Sequence, residues 1–265
     1  MLNWQAQWIK PALSLGDAAP VFGKSFTLDR PVKAAKLYIT ALGVYEARLN
    51  DQRVGEFVMA PGWTTYYKRL QYQCYDVTSL LQQENQLNVT VGRGWYRSRL
   101  PWKVTPYQEG LRENPAGLLA QLEITYADGS TTTLTTDESW QVSDGPVRFS
   151  ELYDGQIYDA TLTPALDGAV EAFDGPSHTL IPQQGEEIRE QERLAPACIF
   201  TAPNGERVID FGQNLAGYVE LSLTAQAGET VCLSFGELLD GDGNFYNENY
   251  RSAISQYHYT CKEGA

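Results

Sequence analysis

The sequence predicts an all-β chain, a β-sandwich followed by part of a second β-sandwich, and three observations carry that prediction. From Lys36 to Arg97 the residues run in short apolar–polar alternations, and a period of two places successive side chains on opposite faces of a sheet. Each run is closed by a turn signal, with aromatics gathered near the turns. No segment carries a sustained helical repeat.

Taken in order, Trp4 and Trp8 flank a short extended segment that runs into Pro11, and a strand follows over Val21–Leu28 with Phe22 and Phe26 on one face. Lys36–Thr40 is a strand. Tyr45–Leu49 is expected to pair with Arg53–Phe57 around Asn50-Asp51, because Asn and Asp tolerate the left-handed backbone of a tight hairpin. Pro61-Gly62 breaks the next run and leaves Trp63, Tyr66 and Tyr67 on a loop. Gln71–Val77 alternates again, Asp76 and Thr78 can cap a single helical turn at Ser79-Leu80-Leu81, and Leu87, Val89 and Val91 mark a further strand. That strand ends at Gly92-Arg93-Gly94, where backbone without a Cβ can bend and present Trp95 and Tyr96.

Leu118–Tyr126 and Ser130–Leu134 form a hairpin around Ala127-Asp128-Gly129. Beyond Trp140 come Gly145-Pro146, Val147–Leu152 and the run YDGQIYDA. The polar, Pro- and Gly-bearing stretch Asp174–Arg193 is the expected domain boundary, which divides the chain into a first sandwich over 1–175, a linker over 176–193 and a partial β-domain over 194–265. In the last part Arg207–Phe211, Tyr218–Thr224, Thr230–Leu238 and Ser255–Cys261 read as strands. Three or four strands rarely bury enough surface to stand alone, so the chain is expected to be the front of something longer.

Composition removes several function classes. With 265 residues, 43% of them hydrophobic, the chain can bury one large core or two ordinary ones. A formal charge of −13 repels phosphate backbones and anionic membrane surfaces, so neither nucleic acid nor membrane is an expected partner. No apolar run approaches the ~20 residues that span a bilayer. Cys74, Cys198, Cys232 and Cys261 are widely spaced, which fits reduced thiols in a cytoplasmic protein.

Gly43-Val44-Tyr45-Glu46, Leu49-Asn50-Asp51, Pro61-Gly62-Trp63, Tyr75-Asp76-Val77-Thr78, Gly94-Trp95-Tyr96, Asp137-Glu138-Ser139-Trp140 and Tyr158-Asp159-Ala160 together resemble the N-terminal β-sandwich of bacterial α-L-rhamnosidases, glycoside hydrolase family 78. Asp210-Phe211-Gly212-Gln213-Asn214, Gly228-Glu229, Glu237, Asp242-Gly243 and Glu248-Asn249 resemble the concanavalin-like domain that follows there. The resemblance implies a jelly-roll, galactose-binding-like sandwich, then part of a concanavalin-like one. It also implies that hydrolysis, which proceeds with inversion between two carboxylates, belongs to an (α/α)6 barrel downstream. No catalytic residue is therefore expected in this chain, and its role would be accessory. Two departures stand out: Arg93 occupies the place of Asp in the family's Gly-Asp-Gly-Trp, and Gln156 replaces Glu in Asp-Gly-Glu.

Two further readings stay open. Some relatives carry a calcium-dependent rhamnose site on an N-terminal sandwich, so the chain could be a carbohydrate-binding module for L-rhamnose or rhamnosides. Trp63, Trp95 and Tyr96 would stack on the sugar ring, with Arg97 and Asn50 meeting its hydroxyls and Trp102 and Tyr107 nearby; the alternative is that these aromatics cap the sandwich. The other reading is a small self-sufficient glycosidase, although nothing in the spacing of the 33 acidic residues singles out an acid and a base. No cofactor or metal is expected: Asp240–Asn244 opens like a calcium loop but has Phe245 and Arg251 where such a loop needs Gly and Glu. Gly212–Gly217 lacks the Gly-Lys-Ser/Thr ending of a phosphate loop, and His178 and His258 lie far apart. The unfinished second sheet is expected to expose an edge and favour self-association, or to be covered by the barrel.

Overall fold

The computed structural model describes residues 2–99 and 115–263. Among them there is no α-helix, only 3₁₀ turns such as Thr78–Leu80, and no helix long and apolar enough to cross a membrane. The strands of the first part are β1 (Trp8–Pro11), β2 (Val21–Thr27), β3 (Val32–Leu42), β4 (Val44–Leu49), β5 (Gln52–Arg53), β6 (Leu70–Asp76), β7 (Glu84–Gly92), β8 (Gly117–Tyr126), β9 (Thr131–Thr135), β10 (Gln141–Ser143), β11 (Val147–Glu151), β12 (Gly155–Asp159), β13 (Gly168–Phe173) and β14 (Leu180–Pro182). The second part holds β15 (Cys198–Thr201), β16 (Arg207–Asp210), β17 (Thr230–Ser234), β18 (Leu238–Leu239), β19 (Phe245–Tyr246) and β20 (Gln256–Thr260).

Two sheets make the sandwich. One runs β14-β6-β3-β8-β1-β13 with β9 on β8, the other runs β10-β2-β7-β4-β5, and β13 joins them by pairing with β1 through Val170–Phe173 and with β10 through Gly168 and Ala169. Alternation supplies the core: Leu37 and Ile39 of β3 and Leu118, Ala120, Leu122 and Ile124 of β8 face Phe22, Ala47, Leu49, Leu87, Val89 and Val91 of the opposite sheet, all buried in one cluster. At ~1.5–3 kcal/mol for each large side chain taken from water, this layer is the main source of stability. The strand that the sequence ends at Thr40 continues to Leu42, after which Gly43 (φ 148°) lets the chain pass at once into the other sheet.

The hairpin at Asn50-Asp51 forms as expected, with φ of 53° and 63°, but its second strand is only Gln52–Arg53. Val54 N–H still bonds to Ala47 O (2.9 Å), and residues 55–57 then leave the hairpin because Gly55 turns at φ 71° against the Tyr75 ring. Tyr218–Thr224 forms no strand; the segment alternates in sequence but pairs with no other strand among the described residues.

The stretch expected as a linker is partly built into the first sheet. Leu180–Pro182 adds β14 parallel to β6, and a buried polar clasp secures it: Tyr45 Oη donates to Gln73 Oε1 (2.8 Å), and Gln73 Nε2 donates to Gln183 Oε1 (2.7 Å). A four-stranded sheet, β11-β12-β20-β17, draws strands from both sides of that stretch, with β12 parallel to β20. Among the described residues beyond 193 only Ala202 and Cys261 are buried, while Ile199, Leu238 and Ile254 are half exposed. β15–β16 and β18–β19 stand as separate two-stranded ribbons. The Asp240–Asn244 segment is a hairpin turn whose Asp240 Oδ1 accepts from the backbone N–H of Asp242 and Asn244.

Candidate functional site

The candidate residues fall into three places. Asn50 sits at the far end of β4 from Val44, which pairs with Gly92, so six residues of strand, about 20 Å, separate it from the turn that carries Trp95. Its amide makes three hydrogen bonds: Nδ2 donates to Leu80 O (2.9 Å) and Asn85 Oδ1 (3.0 Å), and Oδ1 accepts from Gln86 N–H (2.9 Å). Asn50 holds the hairpin tip down, and both of its amide N–H donors are already used.

Trp63 and Trp95 come together as a stacked pair, ring centroids 6.2 Å apart and planes 6° from parallel. Trp63 is 66% exposed and Trp95 half-buried, so one indole face is open to solvent. Gly94 makes the bend that places Trp95: its φ is 52°, and a Cβ there would lie 2.4 Å from Val44 Cγ1.

Tyr96, expected beside them as a stacking surface, is buried instead. It packs edge-on to Tyr66 at 5.1 Å in a second cluster with Trp8, Leu42, Leu70 and Leu119. Leu119 points away from Leu118, so this cluster covers the outer face of the β3–β8 sheet. The physical reason is that β8 is apolar on both faces at its start, and the 59–70 and 93–99 loops supply its cover. Trp102 and Tyr107 lie outside the described residues.

Arg97 faces a different space. It lines an open pocket with Gly16, Asp17, Ala18, Ala19, Val91, Arg93 and Ser150, to which neither tryptophan contributes. Arg93, the family departure, forms an ion pair with Asp17 and lies over the Phe149 ring at 5.0 Å. Arg97 Nε is buried with no hydrogen-bond partner among the described residues. Burial first, and then the neighbouring Arg93 guanidinium, pull Arg97 below the ordinary arginine value, with Asp17 opposing.

Sequence reasoning passed over Glu151, a buried carboxylate that fixes this loop. Oε1 accepts from Ser98 Oγ and from Arg99 N–H (2.9 Å); Oε2 accepts from the N–H groups of Tyr153 (2.6 Å) and Asp154 (3.2 Å). Arg99 makes a bidentate pair with Asp154, Nε to Oδ2 at 2.8 Å, and reaches Ser252 O at 2.5 Å. Those bonds hold the Asp154 carboxyl below its ordinary value, burial opposing. With four donors on it, Glu151 is a structural acceptor rather than an acid for catalysis. Gln156, the second departure, sits in β12 opposite Ser150. All four cysteines are free, and among the described residues no three His, Cys, Asp or Glu side chains gather as a metal site.

Residues 30–192 match the α-L-rhamnosidase N-terminal domain, and residues 200–265 match the bacterial α-L-rhamnosidase concanavalin-like domain. Among characterised relatives, the α-L-rhamnosidase of Streptomyces avermitilis is 41% identical over 246 residues, covering 88% of this chain and 23% of that protein. An α-L-rhamnosidase of Formosa agariphila is 35% identical over 99% of this chain and 30% of its own length. The chain thus spans under a third of the length of either relative. Among solved structures, the α-L-rhamnosidase of Aspergillus terreus superposes with a TM-score of 0.91 at 34% identity, over 98% of this chain and 32% of that one. The S. avermitilis enzyme complexed with L-rhamnose superposes with a TM-score of 0.86 at 38% identity, over 94% of this chain and 25% of its own.

Proposed function

The chain belongs to the α-L-rhamnosidase N-terminal-domain family, and from that membership we propose that it is the non-catalytic front of an α-L-rhamnosidase. The whole enzyme would hydrolyse terminal α-L-rhamnosides with inversion, in the (α/α)6 barrel that the family places after these domains, and the two β-units would brace that barrel. The observation that carries this reading is the order of the two matched domains, which together account for nearly all residues from 30 onward. The exposed apolar side chains Ile199, Tyr218, Leu221, Leu238 and Ile254 support it as a surface for the barrel to cover, or for a second copy to cover when the barrel is absent. The free cysteines fit a cytoplasmic setting.

The test is turnover of an aryl α-L-rhamnoside by the purified 265-residue chain. No turnover is expected. Hydrolysis that co-purifies with the chain and persists through repeated chromatography would sink the reading and revive a self-sufficient glycosidase.

One observation favours a second reading, L-rhamnose binding by the sandwich: the open face of the Trp63–Trp95 stack can lie against the apolar face of a sugar ring. Calorimetric titration with L-rhamnose, with and without a chelator, should then give saturable heat that Trp63→Ala weakens at least tenfold. Flat titrations in both conditions would remove it.

A further inference from the structure

We propose that Cys232, His258 and Gln256, side by side on one face of the β17–β20 ladder, form a site for a zinc-class divalent metal ion. Register places Cys232 directly opposite His258, and Gln256 lies two residues along β20 on the same face. Cys232 Sγ stands 3.9 Å from His258 Nε2, and Gln256 Oε1 stands 3.3 Å from the same nitrogen. A thiol is a weak hydrogen-bond donor and gains little from the imidazole at that distance. Metal coordination suits the spacing better, because ligands held tetrahedrally at about 2.0–2.3 Å from zinc lie about 3.4–3.6 Å from one another. The nitrogen–oxygen separation already matches, and a small torsion of the Cys232 side chain brings its sulfur into the same range. Thiolate and imidazole are donors that select zinc over calcium or magnesium; the amide oxygen is a weaker third, and water takes the fourth position. Because that third donor is an amide, no trio of His, Cys, Asp or Glu marks the place among the described residues. Cys232 is exposed and His258 half-buried, so an ion reaches them from solvent. β20 is paired on one side with β12 and on the other with β17 over Gln256–Thr260, which holds the donors in register before the ion arrives. Binding takes the tautomer with the proton on Nδ1, which frees the Nε2 lone pair, and releases the thiol proton to solvent.

The fully reduced 265-residue chain is titrated with Co²⁺, whose thiolate charge-transfer and d–d bands report a tetrahedral site that includes sulfur, and the cobalt is then displaced with Zn²⁺. Saturation near one ion per chain is expected. Cys232→Ser should abolish the charge-transfer band and His258→Gln should weaken binding at least tenfold. Cys74→Ser and Cys198→Ser, at the other exposed thiols, should leave both unchanged. No charge-transfer band in the wild type, a band that survives Cys232→Ser, or a folded His258→Gln protein that binds as tightly as wild type overturns the site. Should a variant not fold, alkylation of the unmodified chain decides. Bound Zn²⁺ should slow the reaction of Cys232 with iodoacetamide at least tenfold while Cys74 reacts as before, and an unchanged rate at Cys232 overturns the proposal.

Discussion

Glu151→Ala removes a buried acceptor that the 93–99 loop and the β11–β12 turn share. Four donors lose their partner: the Ser98 hydroxyl and the backbone N–H groups of Arg99, Tyr153 and Asp154. The residue is only 5% exposed, so water replaces the carboxylate incompletely, and each stranded donor costs on the order of 1 kcal/mol or more. Summed over the group, the loss is about 3–5 kcal/mol, in the range for breaking a buried charged network. For a chain of this size that corresponds to a fall in melting temperature of about 10 °C. Glu151→Gln sharpens the test. Its amide nitrogen must take one of two oxygen positions, and each already faces a backbone N–H, so the glutamine should lose ~2 kcal/mol despite its matching shape. Thermal and urea denaturation followed by tryptophan fluorescence would measure both. A loss below ~1 kcal/mol for the alanine variant would refute the assignment of Glu151 as the loop's anchor.

Asn50→Ala should cost about 2–3 kcal/mol in urea denaturation, since it strands three hydrogen-bonded groups and puts a Cβ-bearing residue without a polar side chain at φ 53°; a change under ~0.5 kcal/mol would contradict that. The Arg99–Asp154 pair sets a pH dependence whose sign is fixed, because a carboxyl held below its ordinary value of 3.8 adds stability above that pH and loses it as the pH falls through the depressed value. The stability difference between wild type and Arg99→Met should therefore be constant above about pH 5 and shrink below about pH 4, and a gap that widens in acid would exclude the pairing. Gly155→Ala places a Cβ 1.9 Å from Gln256 O, so β12 must leave β20. Amide exchange at His258 and Thr260, whose N–H groups face β12 while those of Tyr257 and Tyr259 face β17, should quicken at least tenfold while Leu118–Leu122 keeps its protection; uniform protection would mean that the parallel pairing is not made.

Much of the sandwich was legible because its evidence is local. Leu87, Val89 and Val91 alternate on one strand, and Asn50-Asp51 carries the left-handed turn within two residues. Pairing between distant strands leaves no such trace. Nothing in Gly155–Asp159 announces a parallel neighbour a hundred residues on, and Leu180–Pro182 reads as loop because its hold on the sheet comes from Gln73 and Gln183, two polar side chains that look solvent-directed until they meet. Tyr218–Thr224 shows the converse, an alternating run that pairs with no strand among the described residues. A period of two says which face is apolar, and it is silent on what lies alongside.

The site was legible in part, and its misreadings have a signal that was present. Ala116-Gly117-Leu118-Leu119-Ala120 is apolar without alternation, which means that both faces of β8 are covered there. Something aromatic had to lie across the outer face, and Tyr66 and Tyr96 do. Arg97 carries a similar lesson. The backbone N–H of Arg97 bonds to Arg93 O at 3.2 Å, closing a five-residue turn that brings these two arginines into one pocket while Trp95, between them, stacks on Trp63. In the run Arg-Gly-Trp-Tyr-Arg the spacing of the arginines therefore matters more than their nearness to the tryptophan. The replacement of the family's Asp by Arg93 then acts on Arg97, setting beside it a second guanidinium that is itself paired with Asp17.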